Sequence, residues 1–247
     1  MSENFRPVAL GSPSGFLGKI RFFCRLALDL QVLTVYRSIR TSAMAVTGSI
    51  LDVGCGASPY KFLFNPENTQ YVGIDIVDAD KFDYRNSAIV AFDGKKIPFS
   101  DASYDAVLCT EVLEHVQNYQ VLVDEMYRVM RPGSILMATI PWSARYHYIP
   151  YDFFRYTPST LQEMFKNFKD VKIVNRGTDI TSVIAKIMVI WFRNLVPAKG
   201  QLNILTLFLA IICIPLILLL ISFAHLSFLL PIGSLEDPLG YTVLAIK

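Results

Sequence analysis

Cysteine, histidine and tryptophan are all scarce in this chain, with four, three and two among 247 residues. Cys24, Cys55, Cys109 and Cys213 lie far apart, so they make neither a CxxC metal pattern nor a dense disulfide framework. Nothing in that usage demands an oxidising compartment, and cytosolic exposure is the default. A phosphate-gripping GxxxxGKS/T loop is missing. So is a long basic tract with interleaved aromatics, which argues against a nucleic-acid partner. Residues 46–179 carry 17 acids and 13 bases, a net charge of minus four. No secretory signal is expected, because Arg21, Arg25 and Asp29 interrupt the first apolar region too soon.

The most informative absence is local. Between Gly200 and Leu235 there is no Asp, Glu, Lys or Arg. A membrane crossing needs about 20 apolar residues to traverse about 30 Å of hydrocarbon, and Leu202–Leu230 is long enough. Yet the chain goes on to Tyr241–Lys247, whose composition is that of a β-strand. A single crossing would strand that segment on the wrong side of the bilayer. Pro215 divides the run into pieces of roughly 12 and 15 residues, each short for a full span. The expectation is a monotopic helical hairpin that enters and leaves by one face. Two spans are the alternative, with Ile180–Val196 as the first; that would put Lys186 in lipid at a cost of about 3 kcal/mol. Burial of the same surface in a soluble oligomer is a further alternative. Residues 16–40 read as one amphipathic helix with a basic bias, able to cap the domain or lie on anionic lipid.

Between these segments the pattern is α/β. Ser49–Val53, Tyr71–Ile76, Ala88–Phe92, Tyr104–Cys109, Ser134–Ile140 and Val171–Asn175 read as strands. A helix is expected from about Val112 to Met130, and Arg131–Gly133 as a turn. Helix-length connections imply a mainly parallel sheet covered on both faces. Ligands of such sheets sit beyond the carboxyl ends of the strands. There, Gly54 and Gly56 let a turn approach a ligand without a Cβ in the way. Asp52 is placed to accept hydrogen bonds or face a cation, Asp75 to take two ribose hydroxyls, and Asp93 to close the third strand beside Phe92. Pro59 stands where a dinucleotide fingerprint has its last glycine, which disfavours a pyrophosphate site.

Ile50-Leu-Asp-Val-Gly-Cys-Gly56, Val72-Gly-Ile-Asp75, the stretch Phe92–Val107, Thr110-Glu-Val-Leu-Glu-His-Val116 and Glu125–Gly133 together resemble the type 11 group of class I S-adenosylmethionine-dependent methyltransferases. The resemblance covers about residues 46–176 and resumes at 241–247. It implies a Rossmann-like, mainly parallel seven-stranded sheet with helices on both faces, here with a hydrophobic helical insertion before the last strand. The implied organisation is a basic helical region 1–45, a core 46–179, an insertion 180–235 and a final strand 236–247. The implied cofactor is S-adenosylmethionine. Asp52, Gly54, Cys55 and Gly56 would surround its methionine end. Asp75 would hold the ribose, with Ile76 beside the adenine; Phe92, Asp93 and Gly94 would form the adenine turn, and Thr110 would line the sulfonium. Ser58 departs from the family, where glycine is common.

Acceptor chemistry points to Pro141–Tyr156, which carries His147, Tyr148, Asp152, Arg155 and Tyr156. His147, Tyr148 and Asp152 are the candidate catalytic residues, His147 as a base or an acceptor-orienting group. Asp152 is expected to pair with Arg155, and Thr157 to cap a helix starting at Pro158. His115 is read chiefly as a structural hydrogen-bonding residue, four residues from Glu111 on one helical face. No metal-ligand cluster is visible. The expected partners are a lipid bilayer and a lipid, quinone or glycolipid acceptor, with the catalytic domain on the cytoplasmic side. The alternatives are methylation of a soluble metabolite, with the insertion used for oligomerisation, and a non-catalytic membrane adaptor.

Overall fold

The computed structural model describes residues 8–76, 89–196, 203–230 and 232–247. Its centre is a seven-stranded sheet of β1 (Gly48–Val53), β2 (Thr69–Ile76), β3 (Ile89–Phe92), β4 (Tyr104–Thr110), β5 (Met130–Pro141), β6 (Lys169–Arg176) and β7 (Gly240–Ile246). The spatial order is β3-β2-β1-β4-β5-β7-β6. The first five strands run parallel, while β7 is antiparallel to both β5 and β6. Strands covered on both faces need continuous apolar runs. β1 and β4 supply them: Ile50, Leu51, Val53, Ala106, Val107 and Leu108 are fully buried.

One face is covered by α3 (Tyr119–Val129) and α4 (Pro158–Met164), through Leu122, Val123, Met126, Leu161 and Met164. The other carries α1 (Gly15–Leu28), α2 (Leu30–Ala43), α5 (Asp179–Leu195) and α7 (Ile214–Ser227), with α6 (Ile204–Ile212) packed on α5. The N-terminal helices and the insertion therefore share one core. Phe22, Leu30, Val35 and Ile39 meet Ile184, Met188, Ile217, Ile221 and Ala224 in it. Polar ties add to this: Trp191 Nε1 donates to the Ala210 carbonyl at 2.8 Å within the insertion, and His225 Nε2 lies 2.9 Å from the Ala27 carbonyl of α1. The Arg37 guanidinium sits 4.9 Å from the Phe228 ring centre.

Several expectations need correction. The helix expected over 16–40 is two helices. Asp29, with φ −115° and ψ 97°, leaves helical geometry, and its carboxylate accepts the Val32 N–H at 3.3 Å to start α2. Apolar periodicity continues across this break, which hides it in the sequence. The helix expected from Val112 is shorter as well. Glu111 has a left-handed φ of 53°, a 3-10 turn follows at Leu113–His115, and α3 begins only at Tyr119. Arg131–Gly133 lies within β5 instead of separating helix from strand. In the insertion, the break falls at Cys213, not Pro215; Pro215 lies in the first turn of α7, where its missing N–H costs nothing. α6 and α7 meet at a 53° bend and are not folded back on each other. No described helix is by itself long and apolar enough to cross a membrane; that bent pair passes by length and composition together. Ala88, expected to open the third strand, lies outside the described residues.

Arg176, at the end of β6, is 3% exposed and joins three parts of the fold. Its Nη2 donates to Glu111 Oε1 at 2.7 Å and to the Ile140 carbonyl at 3.0 Å, while Nη1 lies 3.5 Å from Thr34 Oγ1 of α2. Replacing it by Met keeps much of the volume and removes every donor. Arg176→Met should lower unfolding free energy by about 2 kcal/mol, because a buried carbonyl and a half-buried carboxylate lose their partner. Denaturant titration of the full chain measures this, and an unchanged midpoint would remove Arg176 as a structural tie.

Candidate functional site

The carboxyl ends of β1 and β2 hold the first half of the site. Gly54 and Gly56 both take positive φ, 69° and 49°. A Cβ on Gly54 would lie 2.4 Å from the Val112 side chain, so only glycine fits there. The Gly54 and Cys55 amides both point at the Ile74 carbonyl, at 2.9 and 3.1 Å. That fixes the turn against β2. Ser58 keeps a left-handed backbone, φ 50°, where the resembling family has glycine. Cys55 is buried, and burial, followed by the nearby Asp52 charge, pushes its thiol up to about 12; it is a packing residue.

Asp52 is 1% exposed. Tyr71 donates its hydroxyl to Asp52 Oδ2, while Oδ1 is buried without a partner. Burial pushes the carboxyl up to about 7 despite the Tyr71 bond, and the charge of Asp75 adds to the rise. Asp75 closes β2. Its Oδ2 accepts the Gly56 N–H at 2.8 Å and its Oδ1 the Ile76 N–H at 2.8 Å. Those amides lower its pKa but do not overcome burial, which holds it above the ordinary value. Asp75 thus braces the glycine turn as well as facing the ligand side of the sheet. At β3 the Ile76 side chain lies against Gly94, whose φ is 72°. Phe92 is buried beneath, and the exposed Asp93 accepts the Lys95 and Lys96 amides, both at 2.8 Å. Those amides hold Asp93 below its usual range.

Together these residues suit a cationic nucleoside. An orphaned buried carboxylate oxygen at Asp52 seeks a positive partner, and the glycine turn leaves backbone-width clearance. Ile76 and Gly94 form an apolar edge for a flat base. S-adenosylmethionine supplies an electrophilic methyl on a sulfonium when bound in such a place. Thr110 ends β4 on the same sheet edge, half-buried.

The second half lies between the segment after β4 and the segment after β5. Asp152 binds Arg155 through both oxygens, at 2.6 and 2.8 Å, as expected. It also holds His147: the His147 amide lies 3.1 Å and Nδ1 3.0 Å from Asp152 Oδ2. Burial would raise the Asp152 carboxyl, but Arg155 and His147 more than offset it and hold it well below the carboxylate range. His115 approaches His147 with ring centres 5.0 Å apart and Tyr148 at 5.5 Å. His115 Nδ1 lies 2.8 Å from the Tyr151 carbonyl, the structural bond expected of it. Burial, then His147, pushes His115 down to about 4. Thr157 caps α4 with Pro158 in its first turn. The expected Glu111–His115 helical pair does not form; Glu111 turns to Arg176.

Two groups here were missed in the sequence. Tyr71 lies on the same face as Ile50 and Asp52 of the neighbouring strand, a relation that only the register Ile50↔Tyr71 reveals. Glu114 has a fully buried side chain with both carboxylate oxygens unpartnered, and burial, then the Glu111 charge, holds it well above its ordinary range. Read as helix, it would have been a solvated acid. Glu114, His115 and His147, far from any ligand-spacing motif in the sequence, bring possible ligand atoms within 4.8 Å of one another.

Comparison with known proteins finds the same features in methyltransferases. Residues 51–138 match the model of a methyltransferase domain. An uncharacterized methyltransferase of Mycobacterium tuberculosis (strain ATCC 25177 / H37Ra) is 30% identical over 125 residues, covering 47% of this chain and 49% of the relative. One from Mycolicibacterium gilvum (strain PYR-GCK) is 32% identical over 124 residues, covering 47% and 48%. The chain thus spans about half the length of the curated relatives it matches. Among solved structures, a SAM-dependent methyltransferase from Archaeoglobus fulgidus aligns with a TM-score of 0.55 at 19% identity, covering 92% of this chain and 99% of the other. The phosphoethanolamine N-methyltransferase 2 of Haemonchus contortus, in complex with S-adenosyl-L-methionine, aligns at TM-score 0.50 and 16% identity, covering 88% and 52%. At these identities the two structures establish the Rossmann-like methyltransferase fold.

Asp52 gives a pH prediction. Its folded pKa of about 7 lies above the ordinary value, so ionisation is disfavoured in the folded chain. Stability is therefore lost as pH rises from the ordinary carboxylate range towards about 7. A cationic methyl donor favours the ionised form. Its affinity should rise with pH until about 7 and then level off, with a slope of about tenfold per unit below that point. Calorimetric titration in two buffers of different ionisation enthalpy should also detect a released proton below pH 7; a pH-independent affinity with no proton release would contradict the assignment. Separately, Gly54→Ala should abolish donor binding while the far sheet edge stays folded.

Proposed function

We propose, for a chain whose central residues 51–138 belong to the methyltransferase domain family, that the whole protein transfers a methyl group from S-adenosylmethionine to a lipid-linked acceptor at a membrane surface. The observation that carries the membrane part is the apolar surface of the helical layer holding α1, α5, α6 and α7. Phe16 and Leu17 of α1, Ile204 and Phe208 of α6, and Leu219 of α7 are each more than half exposed. Soluble surfaces rarely expose contiguous apolar patches beyond a few hundred Å², and larger ones mark contact with lipid or protein. The exposed basic residues Lys19 and Arg21 of α1 suit an anionic bilayer.

A second observation links that layer to the site. The segment returning from α7 to β7 is tied to the start of the acceptor loop. The Trp142 and Ser143 amides both donate to the Leu239 carbonyl at 3.0 Å, and Trp142 Nε1 donates to Asp237 Oδ1 at 2.8 Å. Ser182 of α5 donates to the Asp237 carbonyl at 2.9 Å. An acceptor held in the interface would therefore lie near the loop that carries His147. The sulfonium methyl is already electrophilic, so the chain's work is alignment and, for a hydroxyl or amine acceptor, management of its proton. His147, held by Asp152, and Tyr148 are the groups that align the acceptor.

Two measurements test this reading. The full chain should float with anionic liposomes. Replacing Phe16, Leu17 and Leu219 together by Ser should release it, whereas a monodisperse, detergent-free oligomer that ignores liposomes would assign the surface to self-association. His147→Asn should lower turnover by about 100-fold or more while sparing donor affinity. Unchanged turnover would remove His147 from the acceptor site.

A further inference from the structure

We infer that Glu114, His115 and His147 form a binding site for one divalent transition-metal ion, of the zinc, iron(II) or manganese class, on the acceptor side of the fold. This goes beyond the methyl-transfer reading and does not depend on it, because its readout is the ion itself. Ligand atoms of the three residues lie within 4.8 Å of one another. An ion with bonds of about 2.1 Å holds its ligands about 3–4 Å apart, so a small inward movement of the two rings closes the site. Glu114 Oε1 and His115 Nε2 are already 3.6 Å apart, too long for a hydrogen bond and right for two ligands of one ion.

The imidazole tautomers support it. His115 Nδ1 faces the Tyr151 carbonyl at 2.8 Å, and His147 Nδ1 faces the Arg145 carbonyl at 2.8 Å and Asp152 Oδ2 at 3.0 Å. All three partners are acceptors, so each Nδ1 carries the proton and each Nε2 keeps its lone pair. A carbonyl or carboxylate holding the far N–H is the usual support of a metal-ligating histidine. Glu114 supplies the independent observation. Its side chain is fully buried and neither oxygen has a hydrogen-bond partner. The nearby cation, Arg155, is bound to Asp152 and to the carbonyls of Arg145 and Phe154. Glu111 is engaged by Arg176. Two histidines and one carboxylate leave coordination positions open, as in sites that bind an oxygen-bearing molecule to the ion. Such an ion would orient an acceptor through an oxygen atom.

The experiment uses the purified full chain stripped with a chelator and titrated with Zn²⁺ and with Co²⁺. Calorimetry should give one saturable ion per chain, and bound Co²⁺ should develop the visible absorption of a low-symmetry site. X-ray absorption of the Zn²⁺-loaded chain should show two imidazole ligands with oxygen completing the shell, a readout that needs no substitution. Glu114→Gln, nearly isosteric, and His147→Asn should each weaken binding by at least about tenfold. Glu236→Gln, at an exposed acid outside the cluster, should leave it unchanged. Donor binding measured on each variant separates loss of the ion site from loss of the fold. Absence of saturable binding, a zinc shell without two imidazoles, or equal affinity in wild type and Glu114→Gln would each overturn the site. Metal binding without methyl transfer would leave this assignment standing and sink the proposed activity instead.

Discussion

Everything in this fold depends on the antiparallel insertion of β7 between β5 and β6. Seven Cα pairs with β5, from Ile135↔Ile246 to Pro141↔Gly240, lock it in place. The strand comes after the most apolar part of the chain, so its position constrains everything before it. The chain must leave the sheet after β6, build α5, α6 and α7, and return to the same sheet. Because α5 and α7 pack with α2 over one sheet face, the insertion is not an appendage. Its buried side, through Ile184, Met188, Ile217 and Ile221, completes the core begun by the N-terminal helices. Its other side carries the apolar surface.

The site depends on burial of charge where the sheet edge is open to a ligand. Asp52 and Glu114 are both removed from water with oxygens left unsatisfied. Burying a carboxylate this way is costly unless something positive arrives. The two lie beyond the carboxyl ends of neighbouring strands, one at the end of β1 and one after β4. Each is a place where a positive partner would relieve the burial. Asp75 and Asp152 behave differently, since each is satisfied, by amides in one case and by Arg155 and His147 in the other. They hold the geometry in which the unsatisfied pair can act.

Much of this was legible in the sequence. The glycine turn, the acids at the strand ends, the return of the last strand to the core sheet, the Asp152–Arg155 pair and the Thr157 cap all follow from local chemistry. What escaped depends on long-range placement. Asp29 breaks an apolar periodicity that runs through it, because a side-chain cap outweighs the pattern. Glu111 adopts a left-handed conformation that local propensity does not foretell, which ends the expected helix and turns Glu114 inward. Tyr71 reaches Asp52 only through strand register. The Glu114–His115–His147 group joins segments thirty-odd residues apart, and no spacing rule brings them together.

The central claim is that one chain couples a methyl-donor site to a membrane-facing helical layer. It is tested most directly by following label from S-adenosylmethionine with a radioactive methyl into a native membrane extract, after incubation with the full chain. The account predicts a labelled product that partitions with lipid, identified by mass, and none with Gly54→Ala. Label confined to water-soluble metabolites, or absent from every fraction while the donor still binds, would contradict it.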